Sequence, residues 1–305
     1  MKIDSENFDD LVAQALSDSR VAHLRPVVEK ELLHYDILFS LEKEGMLNDL
    51  TFQGGTSLRL CHGANRFSED LNFVGGKDFS ATQVARMKEC IENYIGSRYG
   101  LVVTVKEPNQ LKKDPKYTDL NIDKWQIGVV TAPKRKDMPK QKIKVEIANV
   151  PAYTREPLTM GANYSFLPDG YGDVLIMTET LDEVMADKLV SLPATQSYVR
   201  NRDIWDLSWL NQQNAKIRED LVMNKLGDYA IEGYGAMLDT MLDRIPEIVA
   251  GPQFKDEMRR FTPSDVYART LGQGKFKQFL VTNVTKILKE LQSRLQGDEP
   301  PEFVI

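Results

Sequence analysis

The chain has 305 residues, a formal net charge of −6 and two cysteines, Cys61 and Cys90. That length buries a sizeable core in one larger or two smaller domains, and the acidic balance excludes a basic nucleic-acid coat, so a nucleic-acid partner would need a local basic patch. Two cysteines exclude a disulfide framework and fit a reducing cytoplasm; no apolar run reaches the length of a membrane span, and the acidic N-terminus does not read as a signal peptide.

In chain order, residues 5–48 read as helical, with Phe8, Leu11, Val12 and Leu16 and then Val27, Val28, Leu32, Leu33, Ile37, Leu38 and Leu41 at helical spacing. Pro26 suits the first turn of the second helix, and Gly45 and Asn48 mark its end. Next comes Phe52-Gln53-Gly54-Gly55-Thr56-Ser57-Leu58-Arg59-Leu60. A glycine pair feeding a helix start presents free N–H groups that favour phosphate, although a plain structural turn is an equal reading of those residues alone. Arg66-Phe67-Ser68-Glu69-Asp70-Leu71-Asn72-Phe73 follows and alternates. Leu71 and Phe73 face one way, Ser68, Asp70 and Asn72 the other. Residues two apart along a strand are separated by roughly 6.7 Å, so the Asp70 and Asn72 side chains can converge on one small volume. Such oxygen ligands suit Mg²⁺, which takes one or two carboxylates plus substrate phosphates. A phosphate cradle beside a metal strand points to phosphoryl or nucleotidyl transfer.

Residues 80–97 read as a helix, and 101–105 and 125–131 as strands, with 108–124 as a charged surface loop between them. Residues 133–140 form a basic turn. In the strand that follows, Ile143, Val145 and Ile147 share one face, leaving Glu146 on the other beside Lys144. Lys134, Arg135, Lys136, Lys140, Lys142 and Lys144 read either as a solvated hairpin or as an RNA-backbone contact. An irregular segment spans 151–168. Beyond it the chain reads as helical, over 178–192, 203–210, 217–230, 234–250 and 281–295, with a loose tail from Gly297. A boundary near residue 170 divides the chain into 1–170 and 171–305. His23, His34 and His62 stand alone and read as structural, and Trp205 and Trp209 as packing.

Two charges break the apolar faces of the second half. Lys188 falls between Val184 and Leu192, and Asp203 between Leu207 and Leu210, on inner helix arcs. Buried unpaired charges are costly, so both need partners: each other, or ligand phosphate and metal. Arg66 is similarly open between a local acid and a nucleotide.

The glycine turn and acidic strand resemble the signature of the DNA polymerase β-like nucleotidyltransferase superfamily, in which a third acid lies on a later strand; Glu146 matches it. In its fuller form, Gly-Gly-Thr-Ser-Leu with Arg-Phe-Ser-Glu-Asp-Leu-Asn-Phe is similar to the AbiEii/AbiGii type of abortive-infection toxin. Asn72 stands where that pattern more typically has Asp, which removes one charge from the metal position. Glu183-(x)4-Lys188 and Arg200-Asn201-Arg202-Asp203-Ile204-Trp205-Asp206-Leu207 resemble the later motif of these toxins, whose Lys and Arg-Asp face the nucleotide site. The resemblance covers about residues 30–210.

The resemblance implies an α+β fold: a nucleotidyltransferase-like mixed sheet with flanking helices, then a mainly helical C-terminal domain contributing to the site. It implies a cytoplasmic, Mg²⁺-dependent enzyme that moves a nucleoside monophosphate from an NTP to an RNA acceptor, for some members the 3′ end of tRNA, and that a separate antitoxin restrains. Asp70, Asn72 and Glu146 would hold the metal, with Glu146 as general base. Gly54, Gly55, Thr56, Ser57 and Arg66 would bind the nucleotide, Lys188 would neutralise phosphate charge, and Asp203 would join the catalytic set. Two other readings are a protein-nucleotidylating enzyme and a nucleotide-sensing or antitoxin-binding module without turnover.

Overall fold

The computed structural model describes residues 6–111, 122–135 and 139–297. Two compact units divide the chain, Met1–Glu179 and Thr180–Ile305. The break follows β7 (Leu175–Thr178), which pairs in parallel with β1 (Thr51–Gln53) through Phe52 and Thr178 and so stays with the first unit. The sequence places the boundary earlier, near 170, because no periodic run announces that short strand.

The first unit opens with α1 (Phe8–Leu16) and α2 (Arg25–Lys43), and Pro26 sits in the first turn of α2. Gly45, at φ +69°, ends α2 in the left-handed region, where glycine carries no Cβ penalty. A single seven-stranded mixed sheet follows, in the order β3-β4-β5-β2-β1-β7-β6. Its members beyond β1 and β7 are β2 (Leu71–Val74), β3 (Val103–Lys106), β4 (Ile122–Val129), β5 (Gln141–Ala148) and β6 (Glu156–Thr159). α3 (Gly54–Leu60) rises directly from β1, while α2 lies on β5 and α4 (Met87–Tyr99) on β3. The faces follow the alternation. Leu71, Phe73, Ile143, Val145, Ile147, Trp125 and Ile127 are buried on one side, and polar residues occupy the other.

The second unit holds α5 (Leu181–Ala194), α6 (Asn201–Gln212), α7 (Glu219–Asp228), α8 (Tyr234–Ala250), α9 (Pro252–Arg259), α10 (Ser264–Arg269) and α11 (Gly274–Gln296). Thr180 caps α5 by accepting the Glu183 N–H, which starts the helix later than the expected 178 and leaves Thr178 to β7.

Other elements depart from the sequence reading. The helix expected over 80–97 is broken, with a 3₁₀ turn at Ala81–Val84 ahead of α4. β4 begins at Ile122, inside the expected loop, because pairing with β5 overrides the local charge run. β6 lies in the stretch read as irregular, and α9, α10 and the start of α11 fill a stretch with no expected helix. Residues 112–121 of that loop, Lys136 of the basic turn and the tail beyond Gly297 lie outside the described residues. No helix among the described residues is long and apolar enough to cross a membrane.

Candidate active site

One row of the sheet collects the site. Gln53 of β1 stands opposite Asn72 of β2, Asn72 opposite Glu146 of β5, and Glu146 opposite Lys124 of β4. Residues in register across a sheet share a face, at about 4.8 Å per strand. The row exists because β2 and β5 run parallel with Leu71 against Val145 and Phe73 against Ile147. These apolar pairs lock the register, since a slip of one residue would turn both strands inside out. Asp70, just ahead of β2, is tied to β5 as well: its Oδ1 accepts the Lys144 backbone N–H at 2.9 Å, and its Oδ2 lies 3.9 Å from Lys144 Nζ. Glu146 Oε1 is 2.8 Å from Lys124 Nζ. The two acids are 31% and 29% exposed at the side chain, so both carboxylates remain in reach of solvent.

The glycine turn is built against this row. Gly54 has φ +77°, and a Cβ there would meet the Asn72 amide at 3.3 Å. At Gly55 a Cβ would sit 2.6 Å from Arg66 Nη2 and 3.0 Å from Ser68 Oγ. Both glycines therefore allow close approach, one to the strand and one to the buried Arg66. Arg66 also donates to the Phe67 carbonyl at 2.9 Å. Thr56 and Ser57 are 1% and 0% exposed. The Thr56 hydroxyl donates to the Asp70 carbonyl at 2.5 Å, fixing the start of β2 on α3. The Ser57 hydroxyl is buried with no hydrogen-bond partner among the described residues. Neither hydroxyl reaches the surface.

Behind the strand, Lys30 of α2 pairs with Glu69 at 2.6 Å and His34 Nε2 lies 3.0 Å from the Glu69 carbonyl. Burial pushes the His34 ring down to about 4, so it is neutral near pH 7 and donates that hydrogen bond. Glu69, left without a role by the sequence, thus anchors the strand to α2.

In the second unit Lys188 and Asp203 form the buried pair that the sequence leaves open as one alternative. Lys188 Nζ lies 2.6 Å from Asp203 Oδ1 and 3.2 Å from Asp206 Oδ2, and Asp203 also accepts from Ser191 at 3.0 Å and from Arg200. Burial alone would raise the Asp203 carboxyl, but Arg200 and Lys188 outweigh it and hold the group well below the ordinary carboxylate range. A second buried cluster joins α5 to α7, where Lys225 meets Glu183 at 3.0 Å and Asp187 at 2.6 Å.

Comparison with known proteins decides the family. The model of the AbiEii family, described as nucleotidyl transferase AbiEii toxin of type IV toxin–antitoxin systems, matches residues 36–282. The chain belongs to that family. Among solved structures it resembles MenT4, the nucleotidyltransferase toxin Rv2826c of Mycobacterium tuberculosis H37Rv, at 20% identity and a TM-score of 0.55, over 96% of this chain and 93% of that one. It also matches a putative nucleotidyltransferase from H. pylori at 18% identity and a TM-score of 0.44, over 89% and 96% of the two chains. The likeness to MenT4 speaks to the fold. No curated protein sequence matches.

In this AbiEii-family chain the first unit brings Asp70, Asn72, Glu146, Gly54, Gly55 and Arg66 to the three central strands of the sheet, β5, β2 and β1. Two carboxylates and an amide oxygen make an oxygen-only donor set, which fits the few protein ligands Mg²⁺ takes alongside phosphates and water. Among the described residues no three His, Cys, Asp or Glu side chains gather as a metal cage. Lys124 is the residue that sequence reasoning missed. Alternation counted back from Val129, Ile127 and Trp125 puts it on the polar face, a signal masked by the charged stretch before it.

Proposed function

We propose that this toxin transfers a nucleoside monophosphate from an NTP to an RNA acceptor, tRNA by family resemblance, with Asp70, Asn72 and Glu146 holding Mg²⁺ and the triphosphate. The observation that carries the proposal is the row Asn72–Glu146–Lys124 with Asp70 at its side, where two carboxylates about one-third exposed each face one lysine side chain near the surface. Such pairs are weakly held and exchange readily for a bound cation.

The bound Mg²⁺ would withdraw charge from the triphosphate oxygens and the attacking hydroxyl. Gly54 and Gly55 offer backbone N–H groups to the phosphates, and Arg66 supports the turn from beneath. The acceptor hydroxyl attacks the α-phosphorus, forming the new P–O bond as the bond to pyrophosphate breaks. Its proton passes to Glu146, the carboxylate nearest the row's centre. The family motif would place Lys188 and Asp203 at the phosphate, but we read the two as a structural pair of the helical unit. Since Asp203 and Asp206 already hold the Lys188 ammonium, it reaches a phosphate only by exchanging a carboxylate. Its sharper expectation is a structural one.

The test is incubation with each labelled NTP, Mg²⁺ and total RNA, followed by separation of RNA from protein. Label in RNA, lost with the metal, supports the reading. Label in protein would move the acceptor to a side chain, and label in neither would leave a nucleotide- or antitoxin-binding module.

A further inference from the structure

The same strand register that builds the site also builds a basic surface beside it. On the polar face, Lys106 of β3 stands opposite Gln126 of β4, and Gln126 opposite Lys144 of β5. The next row is Thr104, Gly128 and Lys142, and the row on the other side holds Lys124 and Glu146. These three rows carry no apolar side chain, and four lysines stand against one glutamate, in a chain whose net charge is −6. Lys106, Lys142 and Lys144 are exposed. Lys106 and Lys142 have no acidic partner among the described residues, whereas Lys144 and Lys124 face Asp70 and Glu146.

The shape suits an extended polyanion. Lys142, Lys144 and Glu146 follow one another along β5 at roughly 6.7 Å per step, so a backbone lying on them leads toward the acids. Gly128 leaves the middle position of its row without a side chain; a Cβ there would meet Thr104 Oγ1 at 3.1 Å. A folded acidic protein would be expected to add apolar contacts at an interface core, and these rows offer none.

We propose that the polar face of β3–β4–β5 is the docking surface for the phosphate backbone of the RNA acceptor, with Lys106, Lys142, Lys144 and Lys124 as its contacts. The proposal rests on the RNA reading above and adds where that RNA lies. It goes beyond the basic turn at 133–140, since Lys106 and Lys124 come from distant strands.

The probe is fluorescein-labelled bulk tRNA, titrated with the full chain between 50 and 200 mM salt. Lys106 and Lys142 touch none of the candidate site residues, so K106Q/K142Q is the informative pair. It should weaken tRNA binding about tenfold near physiological salt and lower the salt slope by roughly 1.4 to 1.8, the share of two phosphate contacts. NTP affinity and melting temperature should stay at wild-type values, and K106R/K142R should restore binding. K255Q/K275Q removes the same charge from exposed positions on α9 and α11 and should leave tRNA binding unchanged. Equal weakening by both neutralised pairs, or by neither, overturns the surface. If wild type labels RNA while K106Q/K142Q binds normally, only the surface falls. If wild type neither binds nor labels RNA, the functional reading falls with it.

Discussion

The strand site and the helical charge cluster use the same residue types under opposite conditions. Asp70 and Glu146 are about one-third exposed and each faces one lysine, while Lys188, Asp203 and Asp206 are at most 8% exposed, with both carboxylates on the one ammonium. An exposed pair contributes about 0–1 kcal/mol, so exchanging its lysine for a metal or phosphate costs little. A buried group is left undercompensated when one member goes, at a cost water does not offset. Charges of the first kind are available to a ligand, and charges of the second kind hold helices together.

The contrast is broken most forcefully at Lys188. Lys188→Ala, or Lys188→Met which keeps the stem, leaves Asp203 and Asp206 undercompensated and should cost roughly 3–5 kcal/mol in chemical denaturation. Transfer per folded molecule should survive. Unchanged stability with transfer down 10²-fold or more would return Lys188 to the catalytic set.

A pH titration asks whether the strand site depends on its anchor to α2. His34 is buried and neutral with its pKa lowered to about 4, against 6.5 when exposed. Its contribution is therefore complete above pH 6.5 and lost as pH falls toward 4, about 3 kcal/mol in all. Asp36, pushed up to about 6 by burial, has the opposite sign and loses its contribution as pH rises from about 4 to 6. The difference between wild type and His34→Gln isolates the first. Urea denaturation at pH 7 and 4.5 should show a smaller acid loss in the variant, and equal losses would remove His34 from the account.

Gly55→Ala tests the turn. Its Cβ would press on buried Arg66, so a loss of about 1–3 kcal/mol is expected, along with reduced transfer. A fully stable, fully active variant would show that Arg66 can move aside. The smallest effect belongs to Lys124→Gln, which removes the exposed partner of Glu146 and should change stability by less than about 1 kcal/mol. A loss as large as that at Lys188 would erase the distinction between the regions.

Much of this was legible in the residues. The alternation of Leu71 and Phe73, and of Ile143, Val145 and Ile147, put Asp70, Asn72 and Glu146 on polar faces, and Gly54-Gly55 marked the turn. What alternation cannot give is which strands become neighbours. The Asn72–Glu146–Lys124 row is a product of pairing, and so is the meeting of Lys106 with Lys144 across Gln126. Burial of hydroxyls was equally hidden, because Thr56 and Ser57 read as polar turn residues until α3 packs them against β2. β6 and β7 escaped notice as four-residue strands too short to show a period.

The central claim, that the chemistry lies with the partly exposed strand carboxylates, is tested most directly by Asp70→Asn. The measurement is single-turnover transfer from the labelled NTP, normalised to folded protein, beside a denaturation curve. The account predicts transfer lower by on the order of 10²–10³-fold with stability within about 0.5 kcal/mol of wild type. A folded Asp70→Asn protein that transfers at the wild-type rate would contradict it.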